Sequence, residues 1–184
     1  MDITVTDRHV QLAQRGDRNA IQAIYDRFNL GIYRYLYYQV GDIQTAEDLT
    51  SEVFVRMIRS LPGFQPRESP FQAWLYQIAR NLAIDHFRKA THRNHVELKE
   101  NDIVQQEDMD KTVERHLTQE QLQKALARLN SDQRDVILLR FVNGLSINEV
   151  ARSLDKSEDA IKGLQRRALS SLREILDEWE VSYV

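Results

Sequence analysis

The chain contains no cysteine, which excludes disulfides and thiolate metal sites. Three prolines and six glycines in 184 residues leave little punctuation, and β-branched alternation is scarce. No stretch approaches the roughly 18 consecutive apolar residues that read as a membrane span, so no direct membrane insertion is expected. The opening residues, MDITVTDRHV, lack a basic region followed by an apolar run, so no secretory signal is visible. These absences together fit a cytoplasmic protein. A basic excess is missing too: 25 Lys and Arg stand against 28 Asp and Glu, a net charge of −3. A global basic footprint, the usual mark of a nucleic-acid binder, is therefore absent.

What is present is ordinary soluble composition, 42% hydrophobic and 29% charged, arranged almost wholly in helical periods. A first helix is predicted from Asp7 to Arg15, ending at Gly16. A second runs from Arg18 to Val40, with Ala20, Ile21, Ile24, Phe28, Ile32, Tyr35 and Leu36 at three- and four-residue steps and Gly41 as its stop. A third opens at Thr45, with Asp48 three residues on as a capping box. Its Leu49, Val53, Met57 and Leu61 face inward, and Glu47, Asp48, Glu52 and Arg56 line the far side. Periodicity leaves that far side open between a solvated charged face and a docking surface. Pro62-Gly63 breaks the helix, and the loop PGFQPRESP holds Phe64, Gln65 and Arg67 on a constrained tether.

The segment FQAWLYQIARNLAIDHFRK, residues 71 to 89, combines an apolar stripe with Trp74, Phe87, Arg80, Asn81, Asp85 and Arg88. An amphipathic core helix with a solvated face would read this way. So would a surface that stacks bases on rings and holds phosphates with cations. Residues 78 to 95 set Arg80, Arg88, Lys89 and Arg93 against Asp85 alone, and residues 96 to 117 are rich in Asp and Glu. The stretch 93–117 has little periodicity and reads as a flexible acidic linker.

Beyond it, Thr118 with Gln121 opens another helix, Ser131 caps the next, and Asn143-Gly144 stops it. Ser146 with Glu149 is a capping box, Asp155-Lys156 a short turn, and Ser157 the following cap. Helix, tight turn, helix at this spacing predicts a helix-turn-helix, whose second helix enters the major groove N-terminal half first. Its groove-facing set would be Ser157, Glu158, Asp159, Lys162, Gly163, Gln165, Arg166 and Arg167. Lys or Arg can read guanine and Gln adenine, while acids accept from cytosine. The expected fold is all-α: two small helical bundles, 1–92 and 118–184, joined by the linker.

The stretches AEDLTSEVFVRM, FQAWLYQIARNLAIDHFRK, LNSDQRDVILLRFVNGLSINEVARSL and SEDAIKGLQRRALSSLR, in this order and spacing, resemble bacterial RNA polymerase sigma factors of the extracytoplasmic-function (ECF) type. That resemblance implies a region 2 domain, a linker and a region 4 domain. It implies docking on the β′ clamp helices of core polymerase through Asp48, Leu49, Glu52 and Arg56, and contact with the β flap. It implies reading and melting of the −10 element by Phe64, Gln65, Arg67, Trp74, Arg80, Asn81, Asp85 and Arg88. The −35 duplex would be read by Ser157, Glu158, Asp159, Lys162, Gly163, Arg166 and Arg167. The linker would run toward the RNA exit channel. An anti-sigma factor is an expected partner; no cofactor, metal or catalysis is. The melting region has fewer aromatics than in primary sigma factors, implying a narrower promoter set, and no appended sensing module is expected after Val184.

Two other classes match parts of the pattern. A dimeric helix-turn-helix regulator would need half-sites about one turn apart and leaves the AEDL and aromatic-basic helices without a task. An enzyme would have Asp85 with His86, or His92 with His95, to work with. Helix neighbours point about 100° apart, however, and no further histidine-carboxylate set converges.

Overall fold

The computed structural model describes residues 7–66, 69–96 and 113–182, with side chains described for 7–66, 69–91 and 121–178. Arg67 and most of the acidic stretch lie outside the described residues. Among the described residues there is no strand.

The N-terminal bundle comprises α1 (Asp7–Gln14), α2 (Arg18–Val40), α3 (Ile43–Ser60) and α4 (Phe71–Val96). The Asp17 carboxylate caps α2 by accepting from the Ala20 N–H at 2.9 Å, and Gly41 ends it at φ 79°, donating to the Tyr37 carbonyl. That left-handed conformation is one that glycine adopts without a Cβ penalty. The start of α3 differs from the sequence expectation. Asp42, not Thr45, is the cap, and its carboxylate accepts from the Thr45 N–H at 2.7 Å. An acid one residue before the helix satisfies an orphan amide and favours the positive end of the helix dipole, so the cap lies three residues earlier than expected. A 3₁₀ turn, Leu61–Gly63, takes up Pro62. Ile24, Ile32, Tyr35, Leu36, Met57 and Leu75 are fully buried and form the core; each such side chain contributes about 1.5–3 kcal/mol on leaving water.

The C-terminal bundle comprises α5 (Val113–Arg128), α6 (Ser131–Ile137), a π-helical turn at Leu138–Val142, α7 (Ile147–Leu154) and α8 (Glu158–Ser182). Helix α4 thus continues past Lys89, and α5 begins before Thr118, so the described ends of the acidic stretch are helical. Asn130, one residue before Ser131, caps α6 by accepting from the Gln133 N–H. The Ser146–Glu149 capping box forms in both directions, at 2.7 and 3.2 Å. Asp155 closes α7 in the left-handed region at φ 52°, and the Lys156 N–H returns to the Ala151 carbonyl. The Ser157 hydroxyl then caps α8 by accepting from the Ala160 N–H. Leu126, Leu138, Leu139, Leu145 and Ile161 are the fully buried large side chains here.

The two bundles pack on each other, α7 against α4 and the π turn against α2. Gly31 lies at that junction: a Cβ there would stand 2.6 Å from the Tyr76 hydroxyl and 3.2 Å from Asn143 Oδ1.

Candidate nucleic-acid and polymerase interfaces

Helix α8 is seated by Ile161, Ala168 and Ile175, all buried. At 100° per residue, Asp159, Lys162, Gly163 and Arg166 fall on the opposite side; Asp159, Lys162 and Arg166 are exposed. Lys162 Nζ sits 3.0 Å from Asp159 Oδ1. Nothing but the Arg167 guanidinium comes within 4 Å of a Cβ placed at Gly163, so this face of the helix is open for close approach. Three members of the sequence-predicted set also make contacts within the chain. Ser157 is the cap, Glu158 accepts from Asn148 at 3.0 Å, and half-buried Gln165 accepts from Arg140 at 3.3 Å on the seated side.

On α4 the same geometry aligns Trp74, Asn81, Asp85 and Arg88, at steps of seven, four and three. Asn81 and Arg88 are exposed, and Trp74 and Asp85 half-buried. Phe64 is 7% exposed; its ring centroid lies 4.7 Å from that of Trp74 and 5.5 Å from that of Phe71. It supports the loop from within, while Gln65 is exposed. Arg80 points about 100° away from the Asn81–Arg88 stripe. Its Nε donates to Asp135 Oδ2 at 2.8 Å, and Nη2 lies 3.5 Å from Asp132 Oδ1.

Asp135 gathers its partners from the other bundle. Tyr35 donates to it at 2.8 Å and Gln39 at 2.5 Å, in addition to Arg80. Burial pushes the Asp135 carboxyl above its usual value, opposed by Arg80 and Tyr35. Burial also works against the Arg80 charge, but Asp135, with Tyr35 and Asp132, offsets it and holds the guanidinium pKa above its ordinary value. Sequence reasoning missed Asp135 altogether; nothing in RDVILLR distinguishes a carboxylate that will be buried.

On α3, Asp48 is exposed, and Glu52 and Arg56 form an ion pair at 2.8 Å, each side chain 42% exposed. Leu49 is half-buried and packs on the core. The exposed apolar residue sharing the face of Asp48 and Glu52 is Val55, with Ile58 beside it; an i, i+3 apolar pair outside the core stripe was the available signal. Among the described residues no group of three or more His, Asp or Glu could hold a metal.

Residues 24–93 match the family model for sigma-70 region 2, and residues 125–174 that for sigma-70 region 4. The chain is 42% identical over 170 residues to the ECF RNA polymerase sigma factor BldN of Streptomyces coelicolor, a match covering 91% of this chain and 64% of that protein. It is 36% identical over 162 residues to the ECF RNA polymerase sigma factor SigX of Bacillus subtilis, covering 85% of this chain and 83% of the relative. The fold is also that of CnrH in its complex with the cytosolic domain of CnrY, at TM-score 0.76 and 22% identity over 95% of this chain and 99% of that one. RpoE of Bartonella quintana, solved with the anti-sigma factor NepR, superposes at TM-score 0.68 and 21% identity, covering 85% of this chain and 96% of that one. The chain belongs to the ECF RNA polymerase sigma factors of the sigma-70 family. It is an alternative sigma factor, a DNA-binding transcription-initiation protein whose class of partners is core RNA polymerase and promoter DNA.

Proposed function

We propose that this chain joins core RNA polymerase through the outer face of α3, reads the −35 duplex with α8, and captures the opened −10 strand along α4. The observation that carries this is the pairing of two surfaces in one chain. One is an outward stripe of Asp159, Lys162 and Arg166 on the second helix of a helix-turn-helix; the other is the stripe of Trp74, Asn81, Asp85 and Arg88 on a helix of the region 2 module. Arg or Lys reading a base bidentately discriminates by about 1–3 kcal/mol. Unstacking a base costs a few kcal/mol, and stacking it on an aromatic ring returns about 1–3 kcal/mol. Such a protein can trap bases that open spontaneously but does not hold a whole bubble alone, and a net charge of −3 suits a protein whose polymerase holds most of the phosphates. Polymerase docking rests on Asp48, Glu52 and Arg56, with Val55 as the apolar centre and Leu49 shaping the face from below. Region 2 is assigned to 1–92, the linker to 93–117 and region 4 to 118–184. The protein works in the cytoplasm, carries no catalytic activity, and is held by an anti-sigma factor, as its structural neighbour RpoE is solved with the anti-sigma factor NepR.

Run-off transcription with purified core polymerase over a genomic fragment library tests the reading. Asn81→Ala and Arg88→Ala should reduce strand opening while leaving −35 binding intact. Lys162→Ala and Arg166→Ala should weaken upstream recognition, by about 5- to 150-fold for each bidentate pair removed. Wild-type protein that joins polymerase yet starts no transcript would refute it.

A further inference from the structure

Gln14 closes α1, and nothing in its sequence context, LAQRG, marks it for a task. In the structure its side-chain amide has both of its hydrogens on the loop that carries Gln65. Nε2 donates to the Leu61 carbonyl at 3.0 Å and to the Phe64 carbonyl at 2.7 Å. We infer that Gln14 is a positioning residue for −10 recognition: it fixes the root of the loop, so that Gln65 meets an opened base from one place. This deepens the −10 reading above and rests on it.

The loop needs an anchor because of its own chemistry. Helix α3 ends at Ser60 and the 3₁₀ turn follows at once, so carbonyls there lie past the regular ladder. Pro62 brings no N–H to the turn. The Phe64 N–H returns to the Leu61 carbonyl at 3.1 Å, which closes the turn on itself without tying it to another element. On the outer side Pro62 and Gly63 are exposed, and no heavy atom comes within 4 Å of a Cβ placed at Gly63. Confinement therefore comes from within. Leu61 and Phe64 are buried, and the Phe64 ring packs on Phe71 and Trp74. Apolar packing is non-directional, whereas two hydrogen bonds that bracket Pro62-Gly63 set the direction of the backbone itself. The Phe64 carbonyl belongs to the planar peptide unit that leads into Gln65, so holding that oxygen orients the plane from which Gln65 departs. The anchor is rigid in turn. Val10 and Ala13 seat α1 in the core, Gly16 turns the chain at φ 84°, and the Asp17 N–H returns to the Leu12 carbonyl at 3.1 Å. A binding group works only when such support holds it to within about 0.5 Å; Gln14 gives that support to a loop whose reading residue is itself exposed.

Gln14→Met and Gln14→Glu keep the length of the side chain and, near neutral pH, remove both donors. In the free chain the Phe64 amide should exchange about tenfold faster in either variant, because its acceptor loses its second hold. With core polymerase, run-off is measured on a promoter recovered from the genomic library and on the same promoter with single-base changes in its −10 element. The ratio of the two rates should fall by about tenfold in the Gln14 variants, within the roughly 100-fold that a 1 Å misplacement can cost. Binding of a −35 duplex should stay at the parent level. Asp17→Ala is the control: it removes the cap of α2 and so destabilises the same bundle without touching the loop, and it should leave the ratio unchanged. Unchanged Phe64 exchange, an unchanged ratio in the Gln14 variants, or an equal fall in Asp17→Ala overturns the inference. If Phe64 exchange rises in the variants while the wild type is indifferent to −10 changes, the −10 reading has failed and the anchoring of the loop has not.

Discussion

Gly31→Ala is the sharpest probe of the junction, because two effects of opposite sign meet at one atom. Alanine in the middle of α2 gains about 1 kcal/mol over glycine in helix propensity. The new methyl, however, would lie 2.6 Å from the Tyr76 hydroxyl. That hydroxyl cannot swing clear: the ring is 2% exposed and stands edge-on to Tyr35 with centroids 5.7 Å apart. Overpacking of this kind costs about 1–3 kcal/mol, and displacing the hydroxyl forfeits its bond to Asn143, about 0.5–1.5 kcal/mol more. The net expectation is a destabilisation of about 0.5–3.5 kcal/mol, measured as a lower urea midpoint at an unchanged m-value. Adding Tyr76→Phe removes the clashing oxygen, so the double variant should regain at least half of that stability, a non-additivity expected only of residues that touch. If Gly31→Ala alone proved as stable as the parent or more so, the close approach of α2, α4 and the π turn would be refuted.

Ser146→Ala should cost about 1 kcal/mol by removing the capping box of α7, seen in urea unfolding and in faster exchange of the Glu149 amide. The Asp42 carboxyl is held below its usual value by the hydrogen bonds from Thr45. Its stabilising contribution is therefore complete above the unfolded value of about 3.9 and fades as pH falls through the lower folded value; a carboxyl NMR titration with its midpoint at or above about 3.9 would contradict this. Val55→Asp on the outer face of α3 should weaken core-polymerase binding by about fivefold or more, with circular dichroism unchanged because the residue is 39% exposed.

Helix type and order were readable because caps and periodicity are local. The Ser146–Glu149 box, the Gly41 stop and the Asp155-Lys156 turn all stand where their chemistry places them. Two helix starts differ from expectation for one reason: at Asp42 and Asn130 a short polar side chain just upstream outcompetes the Thr or Ser that the pattern suggests. The outward stripes of α8 and α4 follow from 3.6-residue spacing once the buried side is known, so Lys162, Arg166, Asn81 and Arg88 could be chosen from sequence. Phe64, an aromatic in a loop, reads equally as a base platform or as a plug, and only packing against Phe71 and Trp74 separates them. Asp135 was invisible because its environment is made by Tyr35, Gln39 and Arg80, at least 55 residues away along the chain.

The π turn at Leu138–Val142 lengthens one loop of the helix ladder, with the Asn143 N–H reaching back to the Leu138 carbonyl. Its geometric effect is a change of azimuth: the surplus residue turns Asn143 toward the Tyr76 hydroxyl of the neighbouring bundle. Removing one residue from this turn would restore the regular winding and rotate everything downstream by about 100°. The helix-turn-helix would survive as a unit but meet the first bundle at the wrong bearing. One surplus residue thus sets the mutual orientation of the two halves.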